Sequence, residues 1–185
     1  MTLNNSWGYT TTDHNWKSPQ TVVQMLVRVV SKGGNFLLNF GSTAEGEMPT
    51  EAMKIMKPVG GWLRVNGEAI YGARPSHLEK VTEFPAVKRG KRMVKPDPEV
   101  FWLTTSRPAD RSTGQPDRIY LHIFQWPGTE FTLPVMKQRV SGAYMLADPT
   151  HTALKVSQNG SGVTVHLPTT APDPIASVLV LQSRL

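Results

Sequence analysis

The chain has 185 residues, a net charge of +6 and no cysteine. This length allows one large domain or two small ones, and the absence of cysteine excludes disulfides and thiolate metal sites. No apolar segment approaches the roughly 20 residues that a membrane-spanning helix requires. The first residues lack the basic start and the apolar core that mark a signal peptide.

The first predicted helix covers residues 18–32. Its valine and leucine residues recur at three- and four-residue spacing, which indicates one apolar stripe. Ser18 is expected to cap the helix, and Pro19 suits the first helical position because its missing N–H needs no partner there. Gly33–Gly34 are expected to end it, since glycine adopts the left-handed cap conformation at little steric cost.

A strand is predicted directly after this helix, over residues 35–40. Side chains alternate between the two faces of a strand, so one face here carries only apolar groups and the other is mixed. The apolar face comprises Phe36, Leu38 and Phe40, and the mixed face comprises Asn35, Leu37 and Asn39. We expect the apolar face to meet helices and the mixed face to meet a polar interior or a site.

A second helix is predicted to begin near Pro49 or Thr50 and to stop at Asn66–Gly67. Pro58 interrupts its apolar stripe, so a kink or two shorter segments are expected. Helix, strand and helix with short connections are typical of a parallel α/β sheet. About two βα units fit in this region, whereas a closed eight-fold barrel needs about 250 residues. Further barrel sequence is therefore expected upstream.

The rest of the chain is predicted to be an antiparallel β-sandwich. After a boundary near Arg74–His77, short apolar segments follow one another at intervals of about ten residues, with turn residues between them. These segments cover residues 99–105, 118–126, 130–136, 142–147, 152–158, 162–168 and 176–182. The predicted fold class is thus α/β followed by all-β.

Several sequence blocks resemble the α-L-fucosidases of glycoside hydrolase family 29. They are NNSWGY, SKGGNFLLNFGSTAEGEMP and GGWLRVNGEAIYGARP in the first 75 residues, and RIYLHIFQWPG and APDPIASVLVL further on. The loop GSTAEG departs from the family's usual GPTADG at Ser42 and Glu45, and Pro58 also departs from the family pattern. The resemblance implies that residues 1–75 are the C-terminal part of a (β/α)8-like catalytic barrel and that residues 76–185 are a C-terminal β-sandwich domain.

The resemblance also implies an activity, namely retaining hydrolysis of terminal α-linked L-fucose. Such enzymes use two carboxyl groups about 5–5.5 Å apart, and the family's aspartate nucleophile and glutamate acid/base precede the first residue of this chain. No catalytic residue is therefore expected here, and the isolated chain is predicted to be inactive. The implied partners are fucosylated glycans and the missing N-terminal part of the barrel; no cofactor is expected. Family members are often exported or lysosomal.

The candidate substrate-binding residues are Trp7, Asn39 and His14. An aromatic side chain on a loop after a barrel strand suits the apolar face and methyl group of fucose, and the resemblance places Trp7 beside the substrate pocket. Asn39 is expected to support the site or to satisfy loop backbone, and His14, with the neighbouring Trp16, to lie at the pocket rim. The carboxylates Asp13, Glu45 and Glu47 are interpreted as turn residues rather than as catalytic groups.

Other functions are weaker alternatives. His122 and His166 lie in predicted strands without metal-ligand spacing, so no metal site is expected. The basic segment 87–96 is interpreted as a solvated connection, with binding of nucleic acid as a minor possibility and no membrane contact. A second hypothesis is a stand-alone β-sandwich module, carbohydrate-binding or structural. Residues 1–75 alone are predicted to fold poorly, because an open parallel sheet leaves its apolar faces uncovered.

Overall fold

A computed structural model of the chain describes residues 1–76, 78 and 101–183, together with the backbone of 87–89 and 92–94. Helix α1 covers Pro19–Val30 and helix α2 covers Thr50–Asn66, with one 3-10 turn at Gly67–Ala69. The strands are β1 (Arg74–Pro75), β2 (Val87–Arg89), β3 (Arg92–Val94), β4 (Trp102–Arg107), β5 (Asp117–Ile123), β6 (Glu130–Leu133), β7 (Val140–Met145), β8 (Val156–Asn159), β9 (Gly162–His166) and β10 (Ser177–Ser183).

Both helices form where the sequence predicted them. The Ser18 hydroxyl accepts a hydrogen bond from the Thr21 N–H at 3.1 Å, which is the N-cap interaction expected for α1. Gly33 follows α1 with a φ of +74°, the left-handed conformation that favours glycine. Helix α2 is continuous across Pro58, so the prediction of two shorter segments is wrong. Pro58 is exposed on the solvent side of the helix, where water can satisfy the carbonyl that it leaves unpaired.

The strand predicted over residues 35–40 does not form as a strand. Only a single parallel bridge joins Asn39 to Thr2, through hydrogen bonds from Leu3 N–H to Asn39 O and from Asn39 N–H to Met1 O, both 2.9 Å. Within the described residues, no further strand pairs with residues 35–40. The predicted faces are nevertheless correct: the three apolar side chains at 36, 38 and 40 pack against the helical core, whereas Leu37 is 73% exposed.

The strands form antiparallel sheets, as in a β-sandwich. A five-stranded sheet has the order β1-β4-β5-β10-β7 and a three-stranded sheet has the order β6-β9-β8. All seven predicted segments contain a strand, although the first of them begins at residues 99–100, outside the described residues. Strands β2 and β3 pair within the basic segment that was interpreted as a solvated connection. Residues 90, 91, 95 and 96 and the side chains of that segment lie outside the description.

The five-stranded sheet is the middle layer of three. Alternate side chains of β5 and β10, such as Leu121 and Leu179, point into a core shared with the three-stranded sheet. The intervening side chains, such as Tyr120 and Val178, point into a second core shared with α1, α2 and Leu3. The two helices therefore cover one face of the sheet and the small sheet covers the other.

Candidate functional site

The loop between Leu3 and α1, residues 4–17, carries the most exposed aromatic side chains of this region and is called the Trp7 loop below. Trp7 is 61% exposed and Tyr9 is 47% exposed. An indole or phenol ring in such a position presents an apolar face together with a hydrogen-bonding group. That combination suits the mixed apolar and hydroxylated surface of a sugar.

Asn39 and Gly41, in the segment that follows α1, hold the Trp7 loop in place. The Asn39 side-chain amide donates a hydrogen bond to the Trp7 carbonyl oxygen at 2.8 Å. Gly41 runs so close to the loop that an added Cβ would lie 2.1 Å from the Tyr9 nitrogen and 2.3 Å from the Gly8 carbonyl carbon. Asn39 thus satisfies loop backbone, one of the two roles predicted for it, and the group that it satisfies belongs to Trp7.

Asp13 fixes the loop from within. One carboxylate oxygen accepts hydrogen bonds from the Asn5 N–H and the Ser6 hydroxyl, both at 2.9 Å, and the other accepts from the Asn15 N–H at 3.1 Å. Desolvation acts to raise the pKa of Asp13, but these hydrogen bonds outweigh it and hold the pKa below its ordinary value. The ionised carboxylate of Asp13 therefore stabilises the loop conformation, in agreement with its interpretation as a turn residue.

The remaining candidate residues of the sequence analysis make few contacts with Trp7 or Asn39. His14 is exposed on the Trp7 loop, and its carbonyl accepts a hydrogen bond from the Trp16 N–H at 3.0 Å. Trp16 itself is half-buried against the helical core rather than at an open rim. Glu45 and Glu47 are exposed, and a backbone hydrogen bond at Glu45 together with the Thr43 hydroxyl lowers the pKa of Glu45. These two carboxylates sit in a solvated turn.

Metal and membrane sites find no support in the described part of the chain. No group of three or more histidine, aspartate or glutamate side chains is placed there to hold a metal ion. None of the helices described is both long and apolar enough to cross a membrane.

Comparisons with known proteins point to one family. The family model described as Alpha-L-fucosidase matches residues 1–68, which include the whole Trp7 loop and both helices. An α-L-fucosidase of Branchiostoma floridae is 26% identical over 173 residues, covering 92% of this chain and 33% of the relative. The tissue α-L-fucosidase of Rattus norvegicus is 28% identical over 188 residues, covering 97% of this chain and 31% of the relative.

Solved structures give the same result. Isoenzyme 1 of the Paenibacillus thiaminolyticus α-L-fucosidase superposes with a TM-score of 0.75 at 29% identity, covering 100% of this chain and 39% of that one. The chain is thus similar to the C-terminal part of α-L-fucosidases. It spans about a third of the length of the relatives it matches.

The fucosidase-like block NGEAIYG, residues 66–72, serves a structural purpose. Glu68 accepts hydrogen bonds from Arg118 at 2.7 Å and from the Tyr120 hydroxyl at 2.6 Å, and the Tyr71 carbonyl accepts one from Arg107. All three donors belong to the five-stranded sheet. This block therefore fastens the end of α2 to the sheet instead of lining the Trp7 loop.

Buried hydrogen bonds also join the helical region to the five-stranded sheet. The Thr105 hydroxyl donates its hydrogen to the Ala69 carbonyl at 2.7 Å, so at 2.9 Å it accepts from His122 Nε2–H. Trp62 donates its indole N–H to the Ala176 carbonyl at 2.8 Å. Complete burial disfavours the charged imidazole and lowers the pKa of His122 from 6.5 to about 3. His122 is thus a neutral, structural histidine.

Sequence reasoning did not anticipate these contacts. The hydrogen-bonding partners of Glu68 are about 50 residues away in sequence, and no local pattern signals such a pairing. A signal did exist for His122, since a histidine within the apolar segment RIYLHIF is expected to be buried and to need a partner.

Proposed function

We propose that this chain is the C-terminal part of an α-L-fucosidase, with residues 1–75 completing the catalytic barrel and residues 76–185 forming the β-sandwich beside it. The reaction is retaining hydrolysis of terminal α-linked L-fucose from fucosylated glycans. Trp7 contributes a wall of the fucose pocket, Asn39 positions it, and His14 lies at the rim. The proposal rests most directly on the exposed Trp7 side chain, held by Asn39 within the segment that the family model matches.

The parallel bridge supports the barrel part of the proposal. Parallel pairing between Thr2 and Asn39, with α1 in between, is the connection of one βα unit to the next. The Trp7 loop follows the first of these two segments and residues 41–49 follow the second. Active sites of such barrels lie in the loops at the carboxyl ends of the strands, which is where Trp7 and Asn39 meet.

Asp13 and Glu45 do not suit the role of the general acid. A general acid of a glycosidase needs a raised pKa, whereas the pKa values of Asp13 and Glu45 are lowered by hydrogen bonds. The oxygens of Asp13 are also engaged by three donors of its own loop. We therefore assign the nucleophile and the acid/base to residues outside this chain, and we expect the chain alone to be inactive.

The distribution of exposed aromatic rings favours this proposal over a stand-alone carbohydrate-binding sandwich. Sugar-binding surfaces generally present aromatic rings to solvent. In the described residues the exposed large aromatic side chains are Trp7, Tyr9 and Tyr71, and all three precede the two main sheets. The outer face of the three-stranded sheet instead carries polar pairs such as Glu130–His166 and Thr132–Thr164.

A chimera tests the proposal. This chain replaces the corresponding C-terminal part of the Paenibacillus thiaminolyticus enzyme, and hydrolysis of an aryl α-L-fucoside is measured beside the isolated chain. We expect turnover by the chimera and none by the isolated chain. Turnover by the isolated chain that is abolished by substituting Asp13, Glu45 or Glu47 would show that the catalytic pair has been misplaced. A chimera that folds but has no activity would contradict the assignment of this chain to the active-site wall.

A further inference from the structure

Two Asn-Gly pairs occur in the chain, Asn66–Gly67 and Asn159–Gly160. In such pairs the glycine backbone nitrogen can attack the asparagine side-chain carbon, because glycine has no side chain to obstruct the approach and its backbone is easily reoriented. The reaction requires an exposed, adaptable backbone. The two pairs differ sharply in that respect.

Asn159 lies at the tip of an exposed hairpin. It ends β8 and pairs with Gly162, so that Gly160 and Ser161 form the connection to β9. Residues 157–161 are all exposed. The Asn159 side-chain oxygen accepts a hydrogen bond from the Ser161 N–H at 2.8 Å, an arrangement that folds the carboxamide back along the following peptide. This hydrogen bond restricts the Asn159 side chain to conformations that lie along the Gly160 peptide.

The backbone nitrogen of Gly160 is sterically accessible for the reaction. A Cβ added there would meet no heavy atom within 4 Å. Within the described residues, no group accepts a hydrogen bond from the Gly160 N–H. The nitrogen is therefore free to lose its proton to solvent and to move toward the side chain.

Asn66, in contrast to Asn159, is buried and its backbone is constrained. It is 0% exposed, and its side-chain amide donates to the Trp62 carbonyl at 3.3 Å in the last turn of α2. Gly67 has the helical dihedral angles φ −61° and ψ −25°. A Cβ at Gly67 would lie 2.9 Å from the Tyr71 ring, so this backbone has little room to rearrange. The same dipeptide is protected here by burial and by hydrogen bonds.

We propose that Asn159 is a site of spontaneous deamidation. The Gly160 nitrogen forms a bond to Asn159 Cγ while the Cγ–Nδ2 bond breaks, and the leaving amide nitrogen departs as ammonia with the proton from Gly160. Water then opens the cyclic imide at either carbonyl and gives aspartate or isoaspartate. No oxidant, reductant or enzyme is required, because water is the only co-reactant.

The product changes the charge of a defined surface. Asn159 lines a shallow cavity of about 420 Å³ together with Arg139, Val140, Val156 and Gln158. Deamidation adds a carboxylate to the lining of this cavity, which also includes Arg139, and lowers the net charge of the chain by one. A charge-changing modification of this kind alters local ion pairing and solubility.

Peptide mass spectrometry of the full chain, incubated at mildly alkaline pH, tests the proposal. We expect Asn159 to gain the mass of an oxygen-for-NH exchange while Asn66 reacts at least about tenfold more slowly. In denaturant the two sites should react at similar rates, since the chemistry of the dipeptide is then the same. Gly160→Ala should slow the reaction at Asn159 by about tenfold or more, because the added methyl hinders imide formation; the site has room for it, so the fold is unaffected.

Two outcomes overturn the proposal. One is equal modification of Asn66 and Asn159 in the folded chain, which would mean that structure does not select the site. The other is an unmodified Asn159 in the folded chain over a period in which the denatured chain is modified.

Discussion

The two faces of the five-stranded sheet are covered by different kinds of structure and held by different kinds of contact. Toward the three-stranded sheet, the core consists of apolar side chains such as Leu121, Leu179 and Val163. Toward the helices, apolar packing is accompanied by hydrogen bonds from Thr105, Trp62 and the partners of Glu68. Apolar burial supplies most of the stability on both faces, while the polar contacts determine where the helices attach.

The largest effect is expected from separating the two faces. The fragment 1–75 retains both helices but loses the sheet residues that complete their core, among them Leu103, Tyr120 and Val178. We expect it to show no cooperative thermal unfolding by circular dichroism, whereas the full chain should unfold in a single transition. A cooperative transition of the fragment would mean that the helical face is an independent domain.

Single truncations on the two faces should cost similar amounts. Leu121 and Leu103 are both fully buried, the first against the small sheet and the second against the helices. Leu121→Ala and Leu103→Ala are each expected to lower the free energy of unfolding by about 3 kcal/mol. Leu37→Ala, at a 73% exposed position, serves as the control and should change it by less than about 0.5 kcal/mol. Denaturant titrations measure all three variants, and a small effect at Leu103 alone would indicate a loosely attached helical face.

Removal of Glu68 tests the polar attachment. Glu68→Ala leaves the Tyr120 hydroxyl without its acceptor and the Arg118 guanidinium without its ion pair. We expect a loss of about 1–3 kcal/mol in the free energy of unfolding. Glu47→Ala, which removes an exposed carboxylate of the same charge, is the matched control. Equal effects of the two substitutions would show that the Glu68 contact does not stabilise the fold.

The pH dependence of stability gives the most specific effect, and within half a pH unit below 6.5 it is also the smallest. His122 is neutral when folded because its pKa is about 3, whereas in the unfolded chain it takes up a proton below about 6.5. The unfolded state is therefore favoured as the pH falls from 6.5 toward 3, by at most about 1.4 kcal/mol per pH unit, and the effect is absent at pH 7 and above. The His122→Gln variant should lack this pH dependence. The free energies of unfolding of wild type and variant should therefore converge or cross as the pH is lowered. Parallel curves for the two proteins would contradict the neutral assignment.

The sequence was most informative where structure is local. The Ser18 cap, the Gly33 terminus and the apolar stripes of both helices depend on residues within a few positions of each other, and they were predicted correctly. The sandwich strands were also found, since short apolar segments between turn residues leave few alternatives. The prediction of a strand at 35–40 was wrong because a strand depends on pairing with a distant segment, which local sequence does not specify, and the pairing observed is a single bridge to Thr2.

The candidate site shows the same difference between local features, which the sequence predicts, and contacts between distant residues, which it does not. Trp7 could be proposed from its residue type and loop position, and the alternation of residues 35–40 correctly placed Asn39 on the face away from the core. The hydrogen bond from Asn39 to the Trp7 carbonyl joins residues 32 positions apart, and no sequence pattern specifies it. The assignment of these residues to substrate binding is still a prediction.

The kinetic effect of Trp7 in the Paenibacillus chimera is the most direct test of the proposed active-site wall. Trp7→Ala is compared with Tyr71→Ala, because Tyr71 is exposed to a similar extent, 62% against 61%, but lies at the sheet contact rather than on the Trp7 loop. Loss of an aromatic wall should raise the KM for an aryl α-L-fucoside by about tenfold, equivalent to about 1.4 kcal/mol of binding, while Tyr71→Ala leaves it unchanged. An unchanged KM for the folded Trp7 variant would contradict the account.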